Sequence, residues 1–225
     1  IPGVGGNVAT MVMLGKAWEM NKPKTMGIHL TGELPVGCTP KDVILRVCRE
    51  LGRDGGKGFA AEYFGPGLET LPASGIATCG NMGVEPGFRW SSATLVESML
   101  NFLRATDRVH VAQAAEQHAD DLRPDAEVLE NPEAFYDRVL HIDLSTVKPT
   151  LCGPFDVGVV RTPSEIKAAA AAWKDCSGPA VKEQAEKGGL PPLSYCQTGS
   201  CTQSNLADIT AISQLASWAL ECGIA

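Results

Sequence analysis

Hydrophobic positions along the chain change repeatedly between the period of a strand and the period of a helix. Short apolar runs between turn residues predict strands at residues 25–30, 59–64 and 136–144. Apolar residues that recur roughly every three or four positions predict helices. The predicted helices cover residues 8–18, 40–51, 68–71, 75–85, 93–106, 109–122, 166–173, 179–187 and 206–222. Strands that alternate with helices in this way indicate a layered α/β fold.

Capping residues give the helix at residues 40–51 the best-defined ends. Thr39 is the expected N-cap, Pro40 suits the first helical position, and Asp42 falls in the first turn. Gly52 ends the helix. A second capping pattern, Thr162 to Glu165, predicts the start of the helix at residues 166–173.

The segment 75–85 carries several small residues, including Gly80 and Gly83. Each glycine inside a helix weakens it by about 1 kcal/mol, so tight packing or a functional site must offset the loss. Asn81 and Glu85 lie four positions apart and project from one face of such a helix. The alternative interpretation is a solvated pair of polar residues on a helix surface.

The stretch 194–205 predicts a strand, a tight turn, a cysteine and the start of the helix at 206–222. Ser204 or Asn205 can cap that helix. Cys201 then lies beside unsatisfied amides and the positive end of a helix dipole, which favours the thiolate that binds metal or attacks an electrophile. The alternative is that Cys201 is one more small buried residue.

Composition describes an ordinary globular protein with 44% hydrophobic and 20% charged residues. The net charge of −7 argues against a nucleic-acid partner, and no apolar run reaches the roughly 20 residues of a membrane span. Its 225 residues form one large or two small domains. The irregular stretch 148–163 is the expected boundary, which gives domains 1–150 and 151–225, with two lobes meeting near it.

Eight cysteines are spread along the chain without any Cys-x-x-Cys pair, which indicates a reducing intracellular compartment. We expect all eight thiols to be free, with no disulfide between Cys196 and Cys201. The four histidines do not stand at metal-ligand spacing, so each is expected to be structural or exposed to solvent.

Five blocks of sequence resemble the aconitase family, in the same order and over almost the whole chain. They are residues 30–45 (Leu-Thr-Gly, then Thr-Pro-Lys-Asp-Val-Ile-Leu), 62–67 (Glu-Tyr-Phe-Gly-Pro-Gly), 77–85 (Ala-Thr-Cys-Gly-Asn-Met-Gly-Val-Glu), 148–155 (Lys-Pro, then Gly-Pro-Phe) and 199–204 (Gly-Ser-Cys-Thr-Gln-Ser). The matched blocks are those of the family's central portion, and Gly-Pro-Gly is similar to the citrate-type members. The resemblance implies aconitase-like α/β domains.

The resemblance also implies a function and a set of site residues. Cys201 matches a ligand of a [4Fe-4S] cluster, and Asn81 and Glu85 match catalytic residues near the cluster. The implied reaction isomerises a hydroxy-tricarboxylate by dehydration and rehydration, as a step of the tricarboxylic acid cycle. The implied location is the mitochondrial matrix or the cytoplasm, and the implied partners are the remaining aconitase domains or chains.

Departures from the family pattern fall at residues 86–90 and at Gln203, where the family has asparagine. Of the three cluster cysteines, only Cys201 is matched, so we expect the chain alone to hold no stable cluster and to be inactive. The alternative function is a non-catalytic aconitase-like module with a structural or interaction role. We expect Cys201 to face the same cleft as Asn81 and Glu85.

Overall fold

The computed structural model describes residues 4–153, 156–166, 183, 187, 199, 202 and 204–224. The longer strands are β1 (Lys24–Thr31), β2 (Phe59–Phe64), β3 (Ser91–Ala93) and β4 (Arg138–Asp143). The helices are α1 (Gly6–Met13), α2 (Pro40–Leu51), α3 (Ala73–Asn81), α4 (Glu97–Ala105), α5 (Val109–Gln117), α6 (Ala119–Leu122), α7 (Ala126–Glu130) and α8 (Leu206–Glu221). None of these helices has the length and apolar character needed to cross a lipid bilayer.

A parallel sheet with the strand order β3-β2-β1-β4 organises the described residues. Parallel neighbours need crossover connections, and α2 and α3 make the crossovers from β1 to β2 and from β2 to β3. This arrangement of strands and helices confirms the predicted α/β fold.

The main core lies between the sheet and helix α2. Met26, Ile28 and Leu30 alternate along β1 and are fully buried, because successive side chains of a strand point to opposite faces. From α2 the core takes the side chains of Val43, Ile44, Leu45, Val47 and Cys48. A smaller cluster, Leu95, Leu100 and Ala112, holds α4 against α5.

Helix boundaries differ from the predictions where tertiary contacts override the local pattern. The helix predicted at 93–106 begins only at Glu97, because Ser91–Ala93 pairs with β2 as the edge strand β3. The helix predicted at 109–122 is interrupted at His118, whose φ of −114° is not helical. The connection predicted at 123–132 contains the short helix α7.

Residues 148–163, predicted to be irregular, contain a short antiparallel pair, β5 (Leu151–Cys152) and β6 (Val160–Arg161). Val160 of β6 joins the main core. The division into domains 1–150 and 151–225 stays a prediction. The helices predicted at 166–173 and 179–187, and the strand predicted before Cys201, lie outside the described residues except for Ile166, Glu183, Lys187 and Gly199.

The predicted cap at Asn205 is confirmed, since its Oδ1 accepts a hydrogen bond from the Asp208 amide at 3.0 Å. Gly223, in the left-handed region with φ of 67°, follows α8 as predicted. The Thr162–Glu165 pair is also confirmed: Thr162 N–H donates to Glu165 Oε2 at 2.7 Å.

Candidate functional site

The first turn of α2 is fixed by the buried carboxylate of Asp42. Its Oδ2 accepts from the Thr39 amide at 2.8 Å and from the Thr39 hydroxyl at 3.1 Å, so Thr39 is the N-cap as predicted. Its Oδ1 accepts from the Thr150 amide and hydroxyl, both at 2.8 Å. One side chain therefore joins the start of α2 to the chain just before β5.

Lys41, the neighbour of Asp42, contacts the segment that follows the predicted cluster cysteine. Its Nζ donates to Thr202 Oγ1 at 2.6 Å. The Thr78 hydroxyl of α3 donates to the Thr202 carbonyl at 3.3 Å, and Thr202 is buried. Cys201 itself lies outside the described residues, so its role as a metal ligand stays a prediction.

The spacing predicted that Asn81 and Glu85 lie on one uninterrupted α-helix. The structure contradicts this prediction. α3 ends at Asn81, and Met82–Val84 forms a turn of 3₁₀-helix, in which the Glu85 amide donates to the Met82 carbonyl at 3.1 Å. Close packing accompanies this tighter turn: a Cβ on Gly83 would overlap Ser91 Oγ of the adjacent strand β3. Gly83 therefore permits tight packing, which is one of the two explanations proposed from the sequence for the small residues of segment 75–85.

Glu85 is half-buried, and its Oε2 is a buried oxygen without a hydrogen-bond partner among the described atoms. Burial raises the pKa of this carboxyl, while its own backbone amide and then the positive charge of Lys41 act in the opposite direction. A buried acceptor without a partner is unfavourable for folding unless a ligand or water satisfies it. Glu85 therefore has the properties of a binding or proton-transfer group.

A cavity of 460 Å³ opens at the start of α2. Its lining residues are Thr39, Lys41, Asp42, Leu45, Met82, Pro149, Thr150, Leu151 and Cys152. The electrostatic effects of Lys41 and Glu85 both reach the Cys152 thiol, whose pKa is raised chiefly by burial. The cavity is therefore lined by a lysine, a carboxylate and a thiol, namely Lys41, Asp42 and Cys152.

The buried thiols next to this site are poor metal ligands at neutral pH. Burial raises the pKa of Cys48 and of Cys79 to about 12, whereas metals bind the thiolate. Cys38, Cys48, Cys79, Cys152 and Cys222 are free; the predicted absence of a Cys196–Cys201 disulfide falls outside the described residues. Within the described ranges, no three His, Cys, Asp or Glu side chains converge to hold a metal ion.

Sequence reasoning missed two features. The Lys41–Thr202 bond joins residues 161 positions apart, and only the match of both to family blocks could have indicated it. His29 and His141, each expected to be structural or exposed to solvent, contact each other across β1 and β4. Each histidine alternates with apolar residues inside a predicted strand, and this pattern was the signal in the sequence that both could lie on one face of the sheet.

The fold and the site define the class of this protein as a layered α/β protein with a polar site beside two helices. A family model described as the aconitase family (aconitate hydratase) matches residues 2–225. The chain belongs to the aconitase family.

Curated relatives cover 99% of this chain at moderate identity. The mitochondrial aconitate hydratase of Schizosaccharomyces pombe is 39% identical over 223 residues. The corresponding protein of Emericella nidulans is 36% identical over 223 residues, and a probable mitochondrial aconitate hydratase of Caenorhabditis elegans is 38% identical over 223 residues. The chain spans 26% of the length of each of these relatives.

Proposed function

We propose that this chain is part of an aconitase-type hydro-lyase that isomerises a hydroxy-tricarboxylate by dehydration and rehydration. The observation that carries the proposal is the buried Oε2 of Glu85, which has no hydrogen-bond partner among the described residues and feels the charge of Lys41. Family membership and relatives named aconitate hydratase support it. The site is suited to a substrate that brings both a hydroxyl group and negative charge.

Glu85 and Asn81 are the proposed catalytic residues. A carboxyl with a raised pKa keeps its proton closer to neutral pH, so Glu85 can donate a proton to a departing hydroxyl and recover it on hydration. The Asn81 amide, at the end of α3, can orient the same hydroxyl with its donor and acceptor atoms.

The proposed cofactor is a [4Fe-4S] cluster, for which Cys201 is this chain's ligand. When bound, the cluster supplies an iron that acts as a Lewis acid on the substrate hydroxyl and a carboxylate. The buried Glu85 Oε2, for which the described part of the chain offers no hydrogen-bond partner, fits a site completed by a metal-bound ligand. Lys41 and Thr78 hold Thr202, the residue after Cys201, and thereby support this segment from α2 and α3.

Further parts of the proposal concern partners, location and domains. The other two cluster cysteines come from the remaining aconitase domains or chains, since only one is matched here. The names of the relatives describe them as mitochondrial, which supports a location in the mitochondrial matrix. The cytoplasm is the alternative location. Domains 1–150 and 151–225 are proposed to meet near residue 150.

The chain alone is expected to hold no stable cluster and to show no dehydratase activity. Anaerobic reconstitution with iron and sulfide, followed by visible absorption and an assay of cis-aconitate hydration, tests this expectation. A stoichiometric brown protein that turns over would show that the account of the missing ligands is wrong.

A chimera tests the proposed function itself. This chain replaces the matching segment of the Schizosaccharomyces pombe relative, and the chimera is assayed for its cluster and for cis-aconitate hydration. We expect both, with Cys201→Ser losing the cluster and Glu85→Gln keeping it but losing roughly a hundredfold or more in kcat. Exposed Glu69→Gln is the matched control and should match the parent chimera.

The same chimera discriminates the alternative, a non-catalytic interaction module. The departure at residues 86–90 has a packing role, because Phe88 is buried in the main core. A folded chimera without a cluster, or with a cluster and no turnover, would favour the module and refute the hydro-lyase proposal.

A further inference from the structure

Strands β1 and β4 place His29 and His141 opposite each other in the sheet. Ile28 and Leu30 point into the core beneath α2, so His29 between them points to the opposite face. The face with the two histidines is therefore separated by the sheet from the side that packs against α2.

The two imidazoles make a short, well-oriented contact. His29 Nδ1 and His141 Nδ1 are 3.1 Å apart, and the rings are nearly perpendicular, at 79°. His29 is held in place from below by stacking on Phe64, with ring centroids 4.9 Å apart. Glu133 Oε1 lies 2.9 Å from His141 Nε2.

We propose that His29 and His141 bind a divalent transition-metal ion such as Zn²⁺ through their Nδ1 atoms. Two zinc–nitrogen bonds of about 2.0–2.1 Å at angles of about 90–109° place the nitrogen atoms roughly 2.8–3.4 Å apart. The observed separation of 3.1 Å falls inside that interval. The nitrogen separation therefore suits a shared metal ion, provided that rotation of the two side chains turns both lone pairs toward it.

Glu133 is the outer-shell partner that prepares His141 for this role. Its carboxylate accepts a hydrogen bond from Nε2–H, which leaves the Nδ1 lone pair of His141 directed at His29. In the metal-free pair, His29 Nδ1–H donates to that lone pair. On metal binding, both Nδ1 atoms must present lone pairs, so the proton of the neutral His29 ring moves from Nδ1 to Nε2.

Solvent completes the coordination sphere. The His141 side chain is 55% exposed, so water molecules have access to the metal. This site differs in chemistry from the proposed cluster, because imidazole nitrogen suits Zn²⁺ and other late first-row ions rather than Mg²⁺.

Nitrogen NMR of the imidazole rings in the full chain tests the proposal. Zn²⁺ is added up to roughly 1 mM, so that a site whose dissociation constant is well below this concentration becomes saturated. We expect the Nδ1 resonances of His29 and His141 to shift together, while Mg²⁺ shifts neither. Zinc bound by cysteine thiols leaves these resonances unchanged, so the two kinds of site are separated.

Variants assign the ligands. His141→Gln and Glu133→Gln should each weaken zinc binding by roughly tenfold or more, the usual effect of losing even an outer-shell partner. His110→Gln and His118→Gln, at the other two histidines, are matched controls and should leave the affinity within about twofold. Absence of the paired shift, equal shifts at all four histidines, or unchanged affinity in His141→Gln would overturn the proposal.

Discussion

Replacing Asp42 by alanine should destabilise the protein more than the loss of a helix cap alone. The carboxylate accepts four hydrogen bonds, two from Thr39 at the start of α2 and two from Thr150. Asp42 is only 7% exposed, so water replaces the lost acceptor poorly. The substitution removes a local cap and a long-range link together.

The expected magnitude follows from these two parts. Loss of the cap costs about 0.5–2 kcal/mol, and each hydrogen bond to a charged acceptor contributes about 1.5–3 kcal/mol. Because Thr150 is half-buried and recovers some hydration, the total falls at about 2–4 kcal/mol. For a chain of this length, that lowers Tm by roughly 4–16 °C.

Urea unfolding followed by circular dichroism measures this loss. Asp143→Ala is the matched control, since that exposed carboxylate accepts only from Ser145 two residues away, and it should cost about 1 kcal/mol or less. Asp42→Asn should fall between the two, because its amide NH₂ must face one pair of donors. Equal stability of the two alanine variants would refute the reasoning.

Three further outcomes are expected. Gly75→Ala should lower the midpoint of unfolding, because the new Cβ would overlap the Pro40 ring. Overpacking costs about 1–3 kcal/mol, which exceeds the gain of about 1 kcal/mol from replacing a helical glycine by alanine. Gly6→Ala, where no atom lies near the new Cβ, should not lower the midpoint. Because the pKa of Glu85 is raised, the folded state binds this proton more strongly than the unfolded state does. The stability of the wild type should therefore fall as pH rises from the usual glutamate range through the folded pKa. Glu85→Gln should lack this fall, and parallel curves of stability against pH would contradict the expectation. Thiol titration in denaturant without reductant should count all eight cysteines, whereas six would indicate a disulfide.

Local signals predicted the elements whose stability is local. Thr39, Pro40 and Asp42 marked the start of α2 because a cap depends on residues within one turn. The same signal could not indicate that Asp42 also binds Thr150, since the partner is 108 positions away. Strand β3 was missed for a related reason: Ser91–Ala93 has little strand propensity and is held by pairing with β2.

The sequence supplied the candidate residues of the site, whose roles stay predictions, but it supplied less of the site's geometry. Family resemblance and helical spacing proposed Glu85, and the structure adds a raised pKa and a buried oxygen that no described residue satisfies. The tight turn after Asn81 could not be predicted, because it accompanies the packing of Gly83 against β3. The predicted place of Cys201 beside these residues stays a prediction.

The central position of β1 has a consequence for folding during synthesis. Its partner β4 lies 112 residues later in the chain, as the pairing of His29 with His141 shows. At about 5–20 residues per second, the ribosome needs roughly 6–22 s to make that interval. During this time one edge of β1 is open to pairing with another nascent chain. Edge-to-edge aggregation through β1 is therefore favoured while residues 32–137 are being translated, and β4 then covers this edge of β1.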